Sequence, residues 1–350
     1  MRVLLLSYDL RRRGGIERLS GQVAVALQQL GHDVVILDTR RLGPGAMGRW
    51  LGRLWFLLQV LWQARFTDRL FSLHAMLLHR VEPLLPRHLP RLVWLHGVEV
   101  WGSALPPLVH CLRRCFCLVA SSGFTRDRVV AEHPGSWPQV RVIHPMADLW
   151  RPQDSLIPLP LGLRMLTVAR MDPLERYKGH DLLLEALVPF RNHDWSWLVV
   201  GEGGDRLRLE ELVRHWGLES RVRFSGLLSD ADLREAYSNC SLLAMPSAYE
   251  LLPDGRATGE GFGIAYLEAA CMGRPSLACT LGGQTDLIVE GQTGWLVEPT
   301  VSALQRVLQQ ILDNPQELAS RGAAARFRAV NDFGAARFNK QIAVLMERSS

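Results

Sequence analysis

A chain of 350 residues exceeds the usual single-domain size, and 48% hydrophobic against 21% charged residues suits a globular protein with more than one core. The formal net charge of +5 is too small to argue for a nucleic-acid partner, although its sign suits a protein that handles phosphate groups or visits an anionic surface. Two domains are the starting expectation.

The opening run Met1-Arg-Val-Leu-Leu-Leu-Ser-Tyr-Asp has only a short apolar stretch before a charge, so it reads as a first strand and not as a signal peptide. Short β-rich runs then alternate with helical patterns, the signature of parallel sheets with crossover helices. In the first half this predicts strands at 3–7, 34–37, 92–95, 116–120 and 140–143, with helices that include 16–30 and 124–133. Between them, 40–65 mixes Arg40, Arg41, Arg49, Arg53 and Arg65 with Trp50, Trp55 and Trp62. That composition suits either a helix lying at an anionic lipid surface or a first-domain helix buried on one side, and the sequence leaves both open. Its apolar stretch at 54–62 includes Gln59 and falls far short of the ~20 residues that span a bilayer.

The six cysteines, Cys111, Cys115, Cys117, Cys240, Cys271 and Cys279, lack zinc-site spacing and mostly sit in apolar runs. They read as small buried hydrophobes in a reducing cytoplasm. Three prolines and no clean period mark 148–162 as a linker. The alternation then begins again, with strands predicted at 165–169, 197–200, 222–225, 242–245, 276–278 and 295–297 and helices near 179–190, 207–216, 230–237 and 264–272. The helical segments 302–312, 315–330 and 334–346 add no strand. The expected architecture is α/β, with a first Rossmann-like domain at 1–150, a linker at 151–163, a second Rossmann-like domain at 164–330, and a terminal helix within 331–350 returning to the first domain. A ligand cleft is expected between the two, because open parallel sheets bind ligands beyond the carboxyl ends of their strands.

Three stretches carry candidate chemistry. Arg11-Arg-Arg-Gly-Gly-Ile-Glu-Arg sets Gly14 and Gly15 at the mouth of a helix, where unpaired N–H groups and the positive dipole end favour an anion. The Gly-x-Gly-x-x-Gly spacing of a dinucleotide site is missing, and an ordinary turn is the alternative. In Met165-Leu-Thr-Val-Ala-Arg-Met-Asp-Pro-Leu-Glu-Arg-Tyr-Lys-Gly-His a strand delivers Arg170 to its carboxyl end and Lys178 precedes a helix, so both cations can reach one diphosphate; a solvated surface pair is the alternative. The strongest local signal is Gly259-Glu-Gly-Phe-Gly-Ile-Ala-Tyr-Leu-Glu. Glu260 stands at a helix mouth and Glu268 follows about 80° away at ~100° per residue, so the two can share one face. The N–H groups of Gly261, Phe262, Gly263 and Ile264 can meet sugar hydroxyls and phosphate, and Glu268 can accept from a ribose diol. Solvated helix acids are the alternative reading. Asp230-Ala-Asp232 imitates a metal motif, but Ser229 before it reads as a helix cap. His74 and His79 are five apart, about 140° around a helix, and form no side-by-side metal pair.

Glu260 and Glu268 in Glu-x7-Glu spacing, with Glu-Gly-Phe-Gly, resemble the retaining glycosyltransferases of family 4, group 1, which have the GT-B fold. The likeness continues through Gly14-Gly-Ile-Glu17, Trp94-Leu-His-Gly-Val-Glu-Val, Ala120-Ser-Ser-Gly-Phe-Thr and Val142-Ile-His-Pro-Met-Ala-Asp148. It resumes at Val168-Ala-Arg, Lys178-Gly, Val199-Val-Gly-Glu-Gly, Val222-Arg-Phe-Ser-Gly226, Gly282-Gly-Gln-Thr-Asp and Gly291-Gln-Thr-Gly-Trp-Leu-Val, so nearly the whole chain is covered in family order. His144-Pro-Met-Ala-Asp and Gly282-Gly-Gln-Thr-Asp depart from the family's commoner Pro-Asn-Gly-Val-Asp and Gly-Gly-Ala/Ile-Pro-Glu, and neither departure removes a cation or Glu260.

The resemblance implies that Arg170 and Lys178 bind the donor diphosphate, Glu268 the ribose, and Glu260 with the Gly261–Ile264 backbone the transferred sugar. It also puts His96 by the sugar, Gly15 near the donor phosphates or the acceptor, and Gly201 on the donor side. The implied activity is transfer of a hexose from a nucleotide sugar, GDP-mannose before UDP-glucose or UDP-N-acetylglucosamine, to a glycan or lipid-linked acceptor. No metal and no cofactor are required. From the cysteines the expected location is the cytoplasm, with peripheral contact at the inner membrane face on the lipid-surface reading of 40–65. The rivals are a GT-B-like nucleotide-sugar epimerase and a non-catalytic subunit that binds nucleotide sugar or glycan.

Overall fold

The computed structural model describes residues 1–11, 14–40, 45–103, 105–146 and 157–347. Arg12 and Arg13 of the glycine loop, Arg41, Ala147 and Asp148 of the His144 motif, and the 151–156 part of the expected linker lie outside the described residues. Two compact units are present, one comprising Met1–Met146, Pro253–Arg256 and Ala335–Ser350, the other Ala147–Leu252 and Ala257–Gly334.

The first unit runs β1 (Arg2–Ser7), α1 (Gly15–Gln29), β2 (Asp33–Asp38), α2 (Gly45–Gln63), β3 (Arg69–Ser72), α3 (Ala75–Val81), β4 (Arg91–Leu95), α4 (Pro106–Arg113), β5 (Cys117–Ala120), α5 (Gly123–Glu132) and β6 (Gln139–Val142). These strands form one parallel sheet in the order β2-β1-β3-β4-β5-β6. Val3 to Leu6 and Leu92 to Leu95 are wholly buried, because a parallel sheet covered on both faces needs continuous apolar strands and not alternating ones. β3 escapes the sequence pattern for a physical reason. It has four residues and opens on Arg69, whose guanidinium is buried and donates to the Met346 carbonyl at 2.6 Å.

The second unit runs β7 (Leu163–Val168), α6 (His180–Leu187), β8 (Trp195–Val200), α7 (Arg206–His215), β9 (Val222–Gly226), α8 (Asp230–Ser238), β10 (Leu242–Ala244), β11 (Glu250–Leu251), β12 (Ala257–Thr258), α9 (Ile264–Cys271), β13 (Ser276–Cys279), β14 (Gly294–Val297), α10 (Val301–Asp313) and α11 (Gln316–Asp332). Its sheet is parallel in the order β14-β13-β10-β7-β8-β9, the doubly wound dinucleotide-fold order with its reversal between β7 and β10. In the first unit the reversal lies between β1 and β3. Each unit is thus Rossmann-like, as the two-domain class requires.

The antiparallel ribbon β11–β12 is an addition that no periodicity announced, since each strand has two residues. Its tip belongs to the first unit, where Ser103 N donates to the Gly255 carbonyl at 2.7 Å. α12 (Ala335–Glu347) also belongs to the first unit. Phe338, Ile342, Leu345 and Met346 share a core with Val3, Leu5, Leu19, Val23 and Trp94. The Asp230/Asp232 pair sits in the first turn of α8 under a Ser229 cap that accepts from Asp232 N. His74 caps α3 through Nδ1, which accepts from Met76 N at 3.1 Å.

Candidate functional site

The candidate residues fall into two groups, one at the reversal point of each sheet. In the second unit β7 ends at Val168, and Arg170 follows at its carboxyl edge. Asp172 then caps a 3-10 turn over Pro173–Lys178, its carboxylate accepting from Leu174 N at 2.9 Å. This turn brings Glu175, Tyr177 and Lys178 back beside the end of β10, where Ala248 N donates to the Tyr177 carbonyl at 2.8 Å.

The two cations differ in setting. Arg170 is 74% exposed and donates to Glu175 Oε1 at 2.5 Å, so it stands at the surface, tethered at one end. Lys178 is only 14% exposed, as is Glu260, whose Oε2 accepts from its Nζ at 2.7 Å. The expected alternative of a solvated pair fits Arg170 and fails for Lys178. Burial alone would pull the Lys178 ammonium down, but the carboxylate of Glu260, with Tyr177 and Glu175 behind it, outweighs burial and holds it above its usual value. Burial pushes the Tyr177 phenol up, and Lys178, Glu260, Glu175 and Arg170 all act on it, so these five side chains make one electrostatic group.

Glu260 lies in the loop ahead of α9, and Gly263 ends that loop as the helix cap at φ +90°. A Cβ there would strike the Tyr266 ring at 2.3 Å, which is why glycine opens this helix. Tyr266 is buried and donates to the Met245 carbonyl, pinning α9 to the end of β10. Gly283 N donates to the Glu260 carbonyl at 2.6 Å, so the Gly282-Gly-Gln-Thr-Asp turn braces the loop from the other side. The Phe262 side chain is buried against Phe333, leaving only its backbone for a ligand. Glu268 sits one helix face below, buried, with Oε2 accepting from the Tyr237 hydroxyl at 2.7 Å. Gly201 follows β8 at φ +140°, and a Cβ there would meet the Ala169 carbonyl oxygen at 2.1 Å. Its need for glycine is therefore the close passage of two backbones beside Arg170.

In the first unit Gly15 opens α1 behind Gly14, an extended cap with no side chain to satisfy the helix N–H groups. His96 follows β4. Its Nε2 lies 2.8 Å from the Leu73 carbonyl, an acceptor, which assigns the proton to Nε2 and leaves Nδ1 as the acceptor in the neutral ring. Glu99 Oε1 accepts from His96 N at 2.7 Å. The His96 ring stacks on His74 at 5.5 Å, and His74 meets the Tyr8 ring edge-on at 4.9 Å. Burial pushes His74 down to about 4, so it is neutral near pH 7.

Tyr8, His74, Glu99, Glu175, Tyr177 and Tyr237 join the predicted residues, and sequence reasoning missed them. His74 had a usable signal, standing just past a strand at the reversal point, but that strand was β3. Tyr237 had none, being 31 residues from its partner Glu268.

A profile of the family described as glycosyl transferases group 1 matches residues 164–328. The D-inositol 3-phosphate glycosyltransferase of Streptomyces avermitilis is 31% identical over 236 residues, 59% of this chain and 47% of that protein. The GDP-mannose-dependent alpha-(1-6)-phosphatidylinositol monomannoside mannosyltransferase of Mycolicibacterium smegmatis is 28% identical over 259 residues, 68% of this chain and 65% of that protein. The match with the first of these spans about half of that protein's length. Among solved structures, Anabaena Alr3699/HepE in complex with UDP and glucose matches over 100% of both chains with a TM-score of 0.77 at 22% identity, a likeness of fold. That fold is GT-B.

Proposed function

Residues 164–328 belong to the group 1 glycosyl transferases, and on that premise we propose that the chain is a retaining glycosyltransferase of family 4. It moves a hexose from a nucleoside-diphosphate sugar, GDP-mannose first, to a glycan or lipid-linked acceptor. The observation that carries this reading is the buried Lys178–Glu260 pair, with Arg170 standing by, where the second sheet reverses.

As the glycosidic bond to the donor breaks, the anomeric carbon gains positive charge and the diphosphate gains negative charge. Arg170 and Lys178 stabilise the leaving diphosphate where that charge grows, which is electrostatic catalysis by groups already in place. Glu260 orients Lys178 and accepts from a sugar hydroxyl, while the Gly261–Ile264 N–H groups hold the sugar and phosphate. Glu268, steadied by Tyr237, takes the ribose diol. Gly201 lets the backbone pass close beside the diphosphate. His96 and Gly15 serve the sugar and the acceptor from the first unit. The leaving phosphate takes the proton of the attacking acceptor hydroxyl on the face it has left, so configuration is retained. Neither a metal ion nor a cofactor enters the reaction. The GDP-mannose dependence and phosphatidylinositol-linked substrate of the Mycolicibacterium relative support both the donor preference and a lipid-linked acceptor.

The test is incubation with GDP-mannose, UDP-glucose and UDP-N-acetylglucosamine, with and without glycan and lipid-linked acceptors, following nucleoside diphosphate and product by mass spectrometry. Release of diphosphate with one donor, accelerated by an acceptor, is the expected result. An epimerised sugar released without acceptor, or no turnover and no thermal shift with any donor, refutes it.

A further inference from the structure

α2 packs on the first unit through Gly48, Gly52, Phe56 and Val60, and its opposite face is bare. At ~100° per residue, Trp50, Leu54, Met47, Leu58, Leu51, Trp62 and Trp55 fill an arc of about 140° centred opposite the packed stripe. Trp50, Trp55 and Trp62 are 58%, 52% and 57% exposed, and Phe66 beyond the helix extends the strip against Trp62. An unbroken row of large apolar side chains in water is not what a self-sufficient surface shows.

The charge along the same segment identifies what covers it. Residues 39–67 hold five arginines and no acidic residue, while the rest of the chain carries 35 basic and 35 acidic residues. The entire net charge of the protein therefore sits on this segment. Arg53 is exposed about 60° beyond the Trp50 edge of the apolar arc, Arg40 and Arg65 are exposed beyond its two ends, and Arg49 is exposed further round, on the side of the packed stripe. In a two-fold pairing of this face with a second copy, the same basic rim would meet itself, which opposes a dimer. A bilayer surface fits instead. Tryptophans settle at headgroup level, leucines enter the acyl boundary, and flanking arginines reach anionic phosphates. No helix among the described residues is long and apolar enough to cross a membrane. We propose that α2 is a membrane-contact element that lies flat on an anionic bilayer with its tryptophan face inserted. This holds whatever reaction the second unit performs.

The experiment is co-sedimentation of the full chain with vesicles of phosphatidylcholine alone and of phosphatidylcholine with an equal part of phosphatidylglycerol, at low and high salt. The protein pellets with the anionic vesicles and is released by salt. Arg53→Ala with Arg65→Ala lowers partitioning by roughly thirty-fold, since each basic residue near the surface strengthens binding by about a factor of five. Trp50→Ser, Trp55→Ser and Trp62→Ser together abolish binding. A protein that stays in the supernatant with every vesicle, or both variants binding as the parent does, overturns the proposal. So does light scattering that finds a dimer which the tryptophan variant breaks, without vesicle binding. Should the triple variant melt early, the parent's lipid and salt series decides the question.

Discussion

The Lys178–Glu260 pair allows stability and chemistry to be separated in one set of variants. Both side chains are 14% exposed and meet at 2.7 Å, so removing either leaves the other charge nearly buried and unpaired. A fully buried pair broken on one side costs about 3–5 kcal/mol, and the residual exposure here argues for roughly 2–4 kcal/mol. For a domain of this size each kcal/mol moves the melting temperature by about 2–4 °C, so Lys178→Met and Glu260→Gln should each melt roughly 4–16 °C early. The double variant replaces both charges, leaves nothing uncompensated, and should melt within a few degrees of the parent. Diphosphate release from the donor should behave differently. It falls by about one to two orders of magnitude in Lys178→Met, because a charge-assisted bond to the leaving group is worth ~1.5–3 kcal/mol, and it stays low in the double variant. Calorimetry on all four proteins and turnover under one set of conditions make the measurement. A double variant as unstable as the singles, or one that regains turnover with its stability, refutes the assignment of these two residues.

What the sequence made legible follows from how each feature is encoded. Both cores announce themselves because strands such as Val3 to Leu6 are buried on two faces and must be continuously apolar. The loop at Gly259–Ile264 is legible for a local reason, since glycines and a following helix are adjacent in the chain. Lys178 and Glu260 were each found, but their contact across 82 residues was not, and with it the burial of Lys178. Periodicity has no access to a pairing made by two loops at the ends of β7 and β10. The same limit hid the Tyr8–His74–His96 stack, assembled from three separate strand ends. For 40–65 the sequence left two readings open; the structure packs one face of the helix through Phe56 and Val60 and leaves Trp50 and Trp62 exposed, and lipid contact on that exposed face is the proposal made above. A one-sided pattern was invisible because both faces of α2 are apolar.

Further outcomes follow from the same geometry. Arg170→Ala should leave the melting temperature within about a degree or two, since its side chain is 74% exposed, while lowering donor turnover by about one to two orders of magnitude. Kinetics equal to the parent's would remove Arg170 from the site. Turnover should persist in excess EDTA, because cations already face the proposed diphosphate position; loss restored by magnesium or manganese would reverse that. Acid should destabilise the second unit through His180, which is buried and pushed down to about 4, chiefly by burial, against the opposing pull of Asp181. Its folded value lies below its unfolded value of about 6.5, so the unfolded chain binds the extra proton between the two. The stability this contributes is complete above pH ~6.5 and is lost as pH falls towards 4, amounting to about 2 kcal/mol by pH 5 at ~1.4 kcal/mol per pH unit. Asp205 is also shifted down, held below the carboxylate range by Arg208 and Arg176, and its contribution is likewise lost with acid, but only at more acid pH. Urea melts at pH 7, 6 and 5 should therefore show a decline that His180→Gln reduces. A decline of the same size in that variant would show that His180 is not the group being protonated.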